Sequence, residues 1–355
     1  MVAKDVFELR MVGGKGVGEA ELASMKADFE AEREMVRAMP GEGLEPAKLS
    51  EGTMRVLRGM EASAREFLIE KIQRLGIEGY EPDLLPVQYV RHASSDLGFL
   101  GMSSEGGYVD VYNRLVVGVD HGPLSTIATL GHELSHAAAR TRLVLYMTKG
   151  VDGKVELKSG AHVKGLNLPS GQRCSEICIL PEELVATMDE VDFMGERVAR
   201  ELPQLYVKER AKIDDEVNGF LVRDAIEEMR RGGWEIPPDL DLVPFVQELG
   251  VSESGDECLL LLDGVIIRRY LLGLRISELI GRFQKGEGFT KEDYYRVGRC
   301  VLDRDRYVQG NDVHRMLVKI FGGKESKVLF TAGDGLADLE KVHELVSKKE
   351  LEYKI

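Results

Sequence analysis

The segment TIATLGHELSHAAARTR, residues 126–142, constrains what this chain can fold into more than any other feature. In an α-helix, side chains four residues apart lie almost directly above one another, so His132 and His136 project from one face and their rings can converge on one point. Glu133 lies about 100° further around the helix, within reach of a water molecule bound at that point. Gly131 and the three alanines after His136 leave little side-chain bulk beside the rings. The pattern predicts a helix that carries two ligands of a metal ion.

The sequence around this segment favours the metal interpretation over an ordinary amphipathic helix with two chance histidines. Three short runs rich in Val and Tyr precede it, LLPVQYVRH, GYVDVY and RLVVGVD, and they predict strands. Ser125 or Thr126 can cap a helix that continues to about Arg142. Beyond that helix, LVLYMTKG and KVELKSGAHV flank a VDG turn, which predicts a β-hairpin. A helix in the midst of short strands is the context that the motif requires.

The rest of the chain is predicted to be mainly helical. Residues 19–38 and about 50–75 have helix-forming composition and no interior proline, and helical patterns return from LPEELVATM at residue 180 to the end. We therefore predict an α+β protein in which a small β-sheet lies beside the motif helix. The predicted units are a helical N-terminal segment at 1–80, a metal-binding core at 81–205 and a large helical C-terminal region at 206–355.

Composition excludes several classes of partner. The formal net charge of −14 would repel a phosphate backbone, so we expect no nucleic-acid partner. No run of the chain approaches the roughly 18 to 20 apolar residues that span a bilayer, so we expect no membrane association. The four cysteines are too scattered for a disulfide framework, and the opening residues MVAKDVFELR carry charges where a secretory signal is apolar. These features predict a globular protein of the cytoplasm.

The segment TLGHELSHA resembles the zincin metallopeptidases, in which a strand lies beside a helix that carries H-E-x-x-H. The resemblance extends over roughly residues 84–200. It implies that His132 and His136 bind one zinc ion and that Glu133 acts as the general base. A catalytic zinc takes three protein ligands and keeps a position for water, so a third donor must come from elsewhere in the chain. Metzincins would place Gly and His where this chain has Ala139 and Arg142, and that subclass is excluded.

The gluzincins take their third ligand, a glutamate, from a later helix, and LPEELVATM at residues 180–188 is similar to that pattern. The resemblance favours Glu183 as the ligand. It is followed at plus three by the small Ala186 and at plus four by Thr187, where that family places a partner for a ligand histidine. Glu182 stays open as an alternative, because shifting the frame by one residue also puts leucines at the apolar positions.

The implied activity is zinc-dependent hydrolysis of peptide bonds in a peptide or protein substrate. A hydrolase also needs a donor for the oxyanion, and His162, Tyr206 and Arg140 are candidates from the sequence. Two other interpretations remain open. The chain can be a non-catalytic zincin-like binding or regulatory protein with a bound metal, or a helical interaction protein in which the motif is accidental.

Overall fold

The computed structural model of the chain describes residues 7–38, 46–77, 80, 82, 87–91, 106–109, 114–119, 122–166, 180–251, 258–308, 312–333 and 335–353. Within them the protein is of the α+β class, as predicted. The helices are α1 Glu19–Ala38, α2 Glu51–Arg74, α3 Pro123–Ala138, α4 Leu180–Phe193, α5 Ala199–Glu201, α6 Pro203–Ile213, α7 Glu216–Arg231, α8 Gly264–Lys285, α9 Lys291–Val308, α10 Asp312–Phe321, α11 Ser326–Thr331 and α12 Leu336–Glu352. The strands are β1 Phe7–Gly13, β2 Gln88–Val90, β3 Gly106–Val109, β4 Arg114–Gly118, β5 Thr141–Lys149, β6 Val155–Lys164, β7 Val246–Val251 and β8 Cys258–Leu262.

A small sheet with the order β2-β4-β3 lies beside the motif helix. The strand β4 runs parallel to β2 and antiparallel to β3, and α3 packs against both β3 and β4. Apolar side chains on the helix and the strand are withdrawn from water, among them Val117, Ile127, Leu130 and Leu134. Burial of this apolar surface fixes the helix on the sheet with its histidine face turned away from the strands.

The motif helix begins and ends at other residues than the sequence predicted. It starts at Pro123, whose ring is preorganised for the first helical position, and the residue before it is Gly122 with φ of 88°. No side chain caps it, so the prediction of a cap at Ser125 or Thr126 is wrong, and the Thr126 hydroxyl donates to the Gly122 carbonyl at 2.8 Å instead. The helix also stops at Ala138 rather than near Arg142, because the chain enters β5 there.

The predicted hairpin is confirmed as β5 and β6, which pair antiparallel around a turn in which Gly153 has φ of 80°. A strand that we did not predict, β1, joins it in parallel, with Phe7 opposite Thr141 and Gly13 opposite Met147. Parallel neighbours are distant in sequence, so no local turn signal marks such a pair.

The helical C-terminal region contains a second unpredicted feature, the antiparallel pair β7 and β8. CLLLL in β8 is a continuous apolar run, which periodicity cannot separate from buried helix. Asp263 ends the strand and caps α8, since its Oδ1 accepts from the amides of Val265 and Ile266 at 2.8 and 2.9 Å. No helix among the described residues combines the length and apolar character needed to cross a bilayer. The predicted division at residues 80 and 205 stays a prediction.

The helix α4 contacts two other helices whose side chains contribute to the site. It packs against α3 on one side and α8 on the other, and α9 packs closely on α8. The approach of α8 and α9 depends on Gly281 and Gly298, because a Cβ at either position would collide with backbone of the facing helix. The four helices α3, α4, α8 and α9 therefore bring segments far apart in sequence to one place.

Replacing Gly298 by Ala is expected to lower the free energy of unfolding by about 1–3 kcal/mol, because the added methyl group collides with the Ser277 carbonyl. Urea denaturation measures the change. The matched control is Gly59→Ala on α2, where an added Cβ meets nothing within 4 Å and should stabilise the helix by about 0.5–1 kcal/mol. Equal effects of the two substitutions would contradict the close packing of α8 and α9.

Candidate metal centre

Two helices assemble a group of metal-ligand side chains. On α3, His132 and His136 stand one turn apart, and Glu183 lies in the first turn of α4, which packs against α3. One ligand atom from each of the three residues lies within 4.8 Å of the others. The three residues that the sequence singled out as a ligand set are therefore brought together, and we name them the triad.

The spacing within the triad suits a small four-coordinate cation. The two Nε2 atoms are 3.1 Å apart, and the Glu183 carboxylate presents one oxygen to each, Oε2 at 3.3 Å from His132 and Oε1 at 3.2 Å from His136. These separations lie at or just below the about 3.3–3.6 Å that separate the ligands of a tetrahedral ion with bonds of 2.0–2.2 Å. Two imidazoles and a carboxylate are also a donor set that zinc uses when one position stays open for water. The residues present therefore fit a zinc ion.

Carboxylates on α4 hold the other nitrogen of each imidazole. The Nδ1 atom of His132 is 3.0 Å from Glu190 Oε2, and the Nδ1 atom of His136 is 3.4 Å from Glu182 Oε1. When an imidazole binds a metal through Nε2, a carboxylate that accepts its Nδ1–H fixes the orientation of the ring. Both rings are thus oriented with Nε2 toward Glu183.

The choice between Glu182 and Glu183 depends on the rotation of α4 about its axis. Neighbouring residues on a helix point about 100° apart, and here only Glu183 faces the Nε2 atoms. Glu182 is almost fully buried on the other side of His136, where its Oε2 accepts from the Leu166 amide at 3.1 Å. Its position is that of a carboxylate that orients a ligand.

Thr187 does not take the orienting role that its place in the sequence pattern suggested. The side chain is fully buried, and its hydroxyl has no hydrogen-bond partner among the residues that the structure describes. Glu190 lies beside His132 instead. It follows Glu183 by seven residues, which is two helical turns, so both carboxylates project from the same face of α4.

The electrostatics of the site favour positive charge between the helices. Burial opposes ionisation of Glu183, but the charges and hydrogen bonds of His136 and His132 outweigh it and hold the pKa of the carboxyl well below its usual value. Burial likewise opposes protonation of His132, but the carboxylates of Glu183 and Glu190 outweigh it and raise the pKa of the ring to about 10. A divalent cation at the triad would satisfy the same demand for positive charge.

An arginine that we did not predict also reaches the triad. Arg269 on α8 donates through Nη1 to Glu183 Oε2 at 3.1 Å, and only 12% of its side chain is exposed. A signal for it exists in the sequence, since Arg268 and Arg269 interrupt the apolar run of α8 and buried arginines need acidic partners. The partner itself was not predictable, because it lies on another helix.

The remaining site predictions fall at different places. Glu133 is on α3 directly after the first ligand histidine and is 8% exposed. Among the oxyanion candidates, the Tyr206 hydroxyl donates to Asp241, Arg140 pairs with Glu8 at 3.6 Å, and His162 lies on β6.

Comparison with known proteins adds no identification: no protein-family model, no curated protein and no solved structure matches the chain. The functional argument therefore depends on the chemistry of the triad and its surroundings.

We expect the purified protein to bind one equivalent of zinc, measured by titration against a chromophoric chelator. His136→Ala and Glu183→Gln should each weaken zinc binding by more than about 100-fold, because loss of a direct ligand costs more than loss of an outer partner. The matched control is Glu227→Gln, an exposed carboxylate on α7, which should bind zinc as the parent protein does. Zinc uptake that none of these substitutions changes would remove the triad as a metal site.

Proposed function

We propose that this protein is a zinc-dependent metallopeptidase that hydrolyses peptide bonds in a peptide or protein substrate. The observation that carries the proposal is the convergence of the Nε2 atoms of His132 and His136 on the carboxylate of Glu183, at 3.1–3.3 Å. That donor set leaves room for water in four-coordinate zinc, and a glutamate follows the first ligand as zincin chemistry requires.

The order of elements also supports a zincin-like scaffold of the gluzincin type. The strand β4 precedes the motif helix, the β5–β6 hairpin follows it, and the helix with the third ligand comes next. The site of action that we propose is the cytoplasm, where thiols stay reduced. Cys300 is a free, exposed cysteine and needs no disulfide partner there.

Zinc bound at the triad supplies Lewis acidity toward a carbonyl oxygen and lowers the pKa of a water molecule. Glu133 is assigned the proton transfers. Its carboxylate accepts a proton from the attacking water as the new C–O bond forms, and it returns that proton to the nitrogen as the C–N bond breaks. Arg269 is the proposed donor to the developing oxyanion, because its guanidinium lies against the Glu183 ligand and is nearly buried.

A second candidate function is metal binding without turnover on the same scaffold. The observation that favours it is the burial of the triad, whose side chains are only 14%, 8% and 16% exposed. A peptide would have to reach donors that are withdrawn from solvent. The two functions predict the same zinc stoichiometry, so only turnover separates them.

Glu133→Gln is expected to keep one equivalent of zinc and to lower peptide hydrolysis by about 100- to 10,000-fold, because an amide cannot accept the proton from water. Cleavage of a diverse peptide library, followed by mass spectrometry, measures turnover without a known substrate. Glu227→Gln again serves as the control and should cleave as the parent does. Zinc-loaded parent protein that cleaves nothing in the library, like its Glu133→Gln variant, would favour the non-catalytic function.

A further inference from the structure

A cluster of buried ionic and polar side chains lies directly behind the triad, between four helices. Its members come from α2, α3, α4 and α9, and each is at most 8% exposed. We name it the buried charge network: Lys71, Ser135, Glu182, Asp189, Arg299, Asp303 and Arg306. Three cations here face three carboxylates, so the network is close to neutral.

Arg306 is at the centre of the network and is completely buried. Its Nε and Nη2 donate to Glu182 Oε1 at 2.8 and 2.5 Å. Its Nη1 donates to Ser135 Oγ at 2.6 Å and to Asp189 Oδ2 at 2.9 Å, and Nη2 also donates to the Ser135 carbonyl at 2.7 Å. Ser135 is the residue before His136, so one guanidinium from α9 binds both the motif helix and the helix that carries the third ligand.

These contacts fix the carboxylate that orients His136. Glu182 Oε1 lies between the Arg306 guanidinium and the His136 Nδ1 atom, which is 3.4 Å away, while Oε2 accepts from the Leu166 amide. The chain directly after β6 comes this close to Glu182 because residue 165 is glycine, with φ of 50°. A Cβ at that position would collide with the Glu182 carboxylate. Glu182 is therefore held from two sides.

Stability alone is a weak reason for such a network. Burying paired charges costs desolvation that their attraction barely repays, and apolar side chains of similar volume often stabilise a protein as well or better. A metal ligand, by contrast, depends on outer partners that fix its orientation, and losing one typically costs 10- to 100-fold in metal affinity. The Arg306 contacts provide such fixation.

We propose that Arg306 is a positioning residue of the metal centre. It holds Glu182 so that the carboxylate accepts Nδ1–H of His136 and directs Nε2 at the metal position. The inference rests on the metal site of the proposed function and extends it to α9, far from the motif in sequence. The C-terminal helical region is then part of the metal centre.

The first test compares two arginines of the same network and helix. Arg306→Lys keeps the charge but loses the fork that binds Glu182 and Ser135, and it should weaken zinc binding by about 10-fold and alter the visible spectrum of bound Co²⁺. Arg299→Lys is the matched control, because Arg299 contacts Asp189, Asp192 and Asp303 and has no described contact with Glu182 or Ser135. It should leave zinc affinity and the Co²⁺ spectrum unchanged.

The second test removes one carboxylate charge at two places in the network. Glu182→Gln should weaken zinc binding by about 10- to 100-fold, whereas Asp303→Asn, whose described contacts are with Lys71 and Arg299, should not. Urea denaturation of every variant records the effect on folding separately. The positioning role of Arg306 would be overturned if Arg306→Lys and Arg299→Lys, or Glu182→Gln and Asp303→Asn, lost zinc affinity equally. It would also be overturned if neither member of a pair lost zinc affinity.

These outcomes are distinct from failure of the proposed function. A parent protein that takes up no zinc overturns the metal site and the positioning role together. A parent protein that binds zinc and cleaves peptides while Arg306→Lys behaves as Arg299→Lys overturns the positioning role alone. If the parent protein binds zinc but cleaves no peptide, the comparison of variants still tests the positioning role, because zinc affinity and the Co²⁺ spectrum are measured without turnover.

Discussion

The pairing of two imidazoles on α3 with three carboxylates on α4 is the interaction on which the rest of the site depends. Each histidine has one nitrogen against an orienting carboxylate and the other directed at Glu183. Burying three carboxylates is costly unless cations neutralise them. Arg306 meets Glu182 and Arg269 meets Glu183, so α8 and α9 supply charge that the α3–α4 pair cannot supply for itself.

Close contact between α3 and α4 makes this pairing possible. Gly131 lies one residue before the first ligand histidine, and a Cβ there would stand 2.7 Å from the ring of Phe193 on α4. A larger residue would separate the helices by forcing that ring aside. Gly131 thus lets α4 come near enough for Glu183 to meet the Nε2 atoms.

Much of the local structure was predictable because its cause is local. Helices α1 and α2 and the β5–β6 hairpin appear where composition, periodicity and the VDG turn predicted them. The strands β1, β7 and β8 were missed, since β1 finds its parallel partner far along the chain and CLLLL carries no alternation. The start of α3 was also wrong, because Gly122 and Pro123 set it through backbone geometry and no side chain caps it.

The sequence by itself determined that His132 and His136 share a face with Glu133 beside them, because helical periodicity fixes those directions wherever the helix lies. It left open which of Glu182 and Glu183 faces the Nε2 atoms, and it held no indication that Glu190 lies beside His132 or that Arg306 lies beside Glu182. Those contacts were decided by tertiary structure. They depend on how α4 is rotated against α3 and on which cations α8 and α9 bring to buried carboxylates, and no spacing along the chain encodes either.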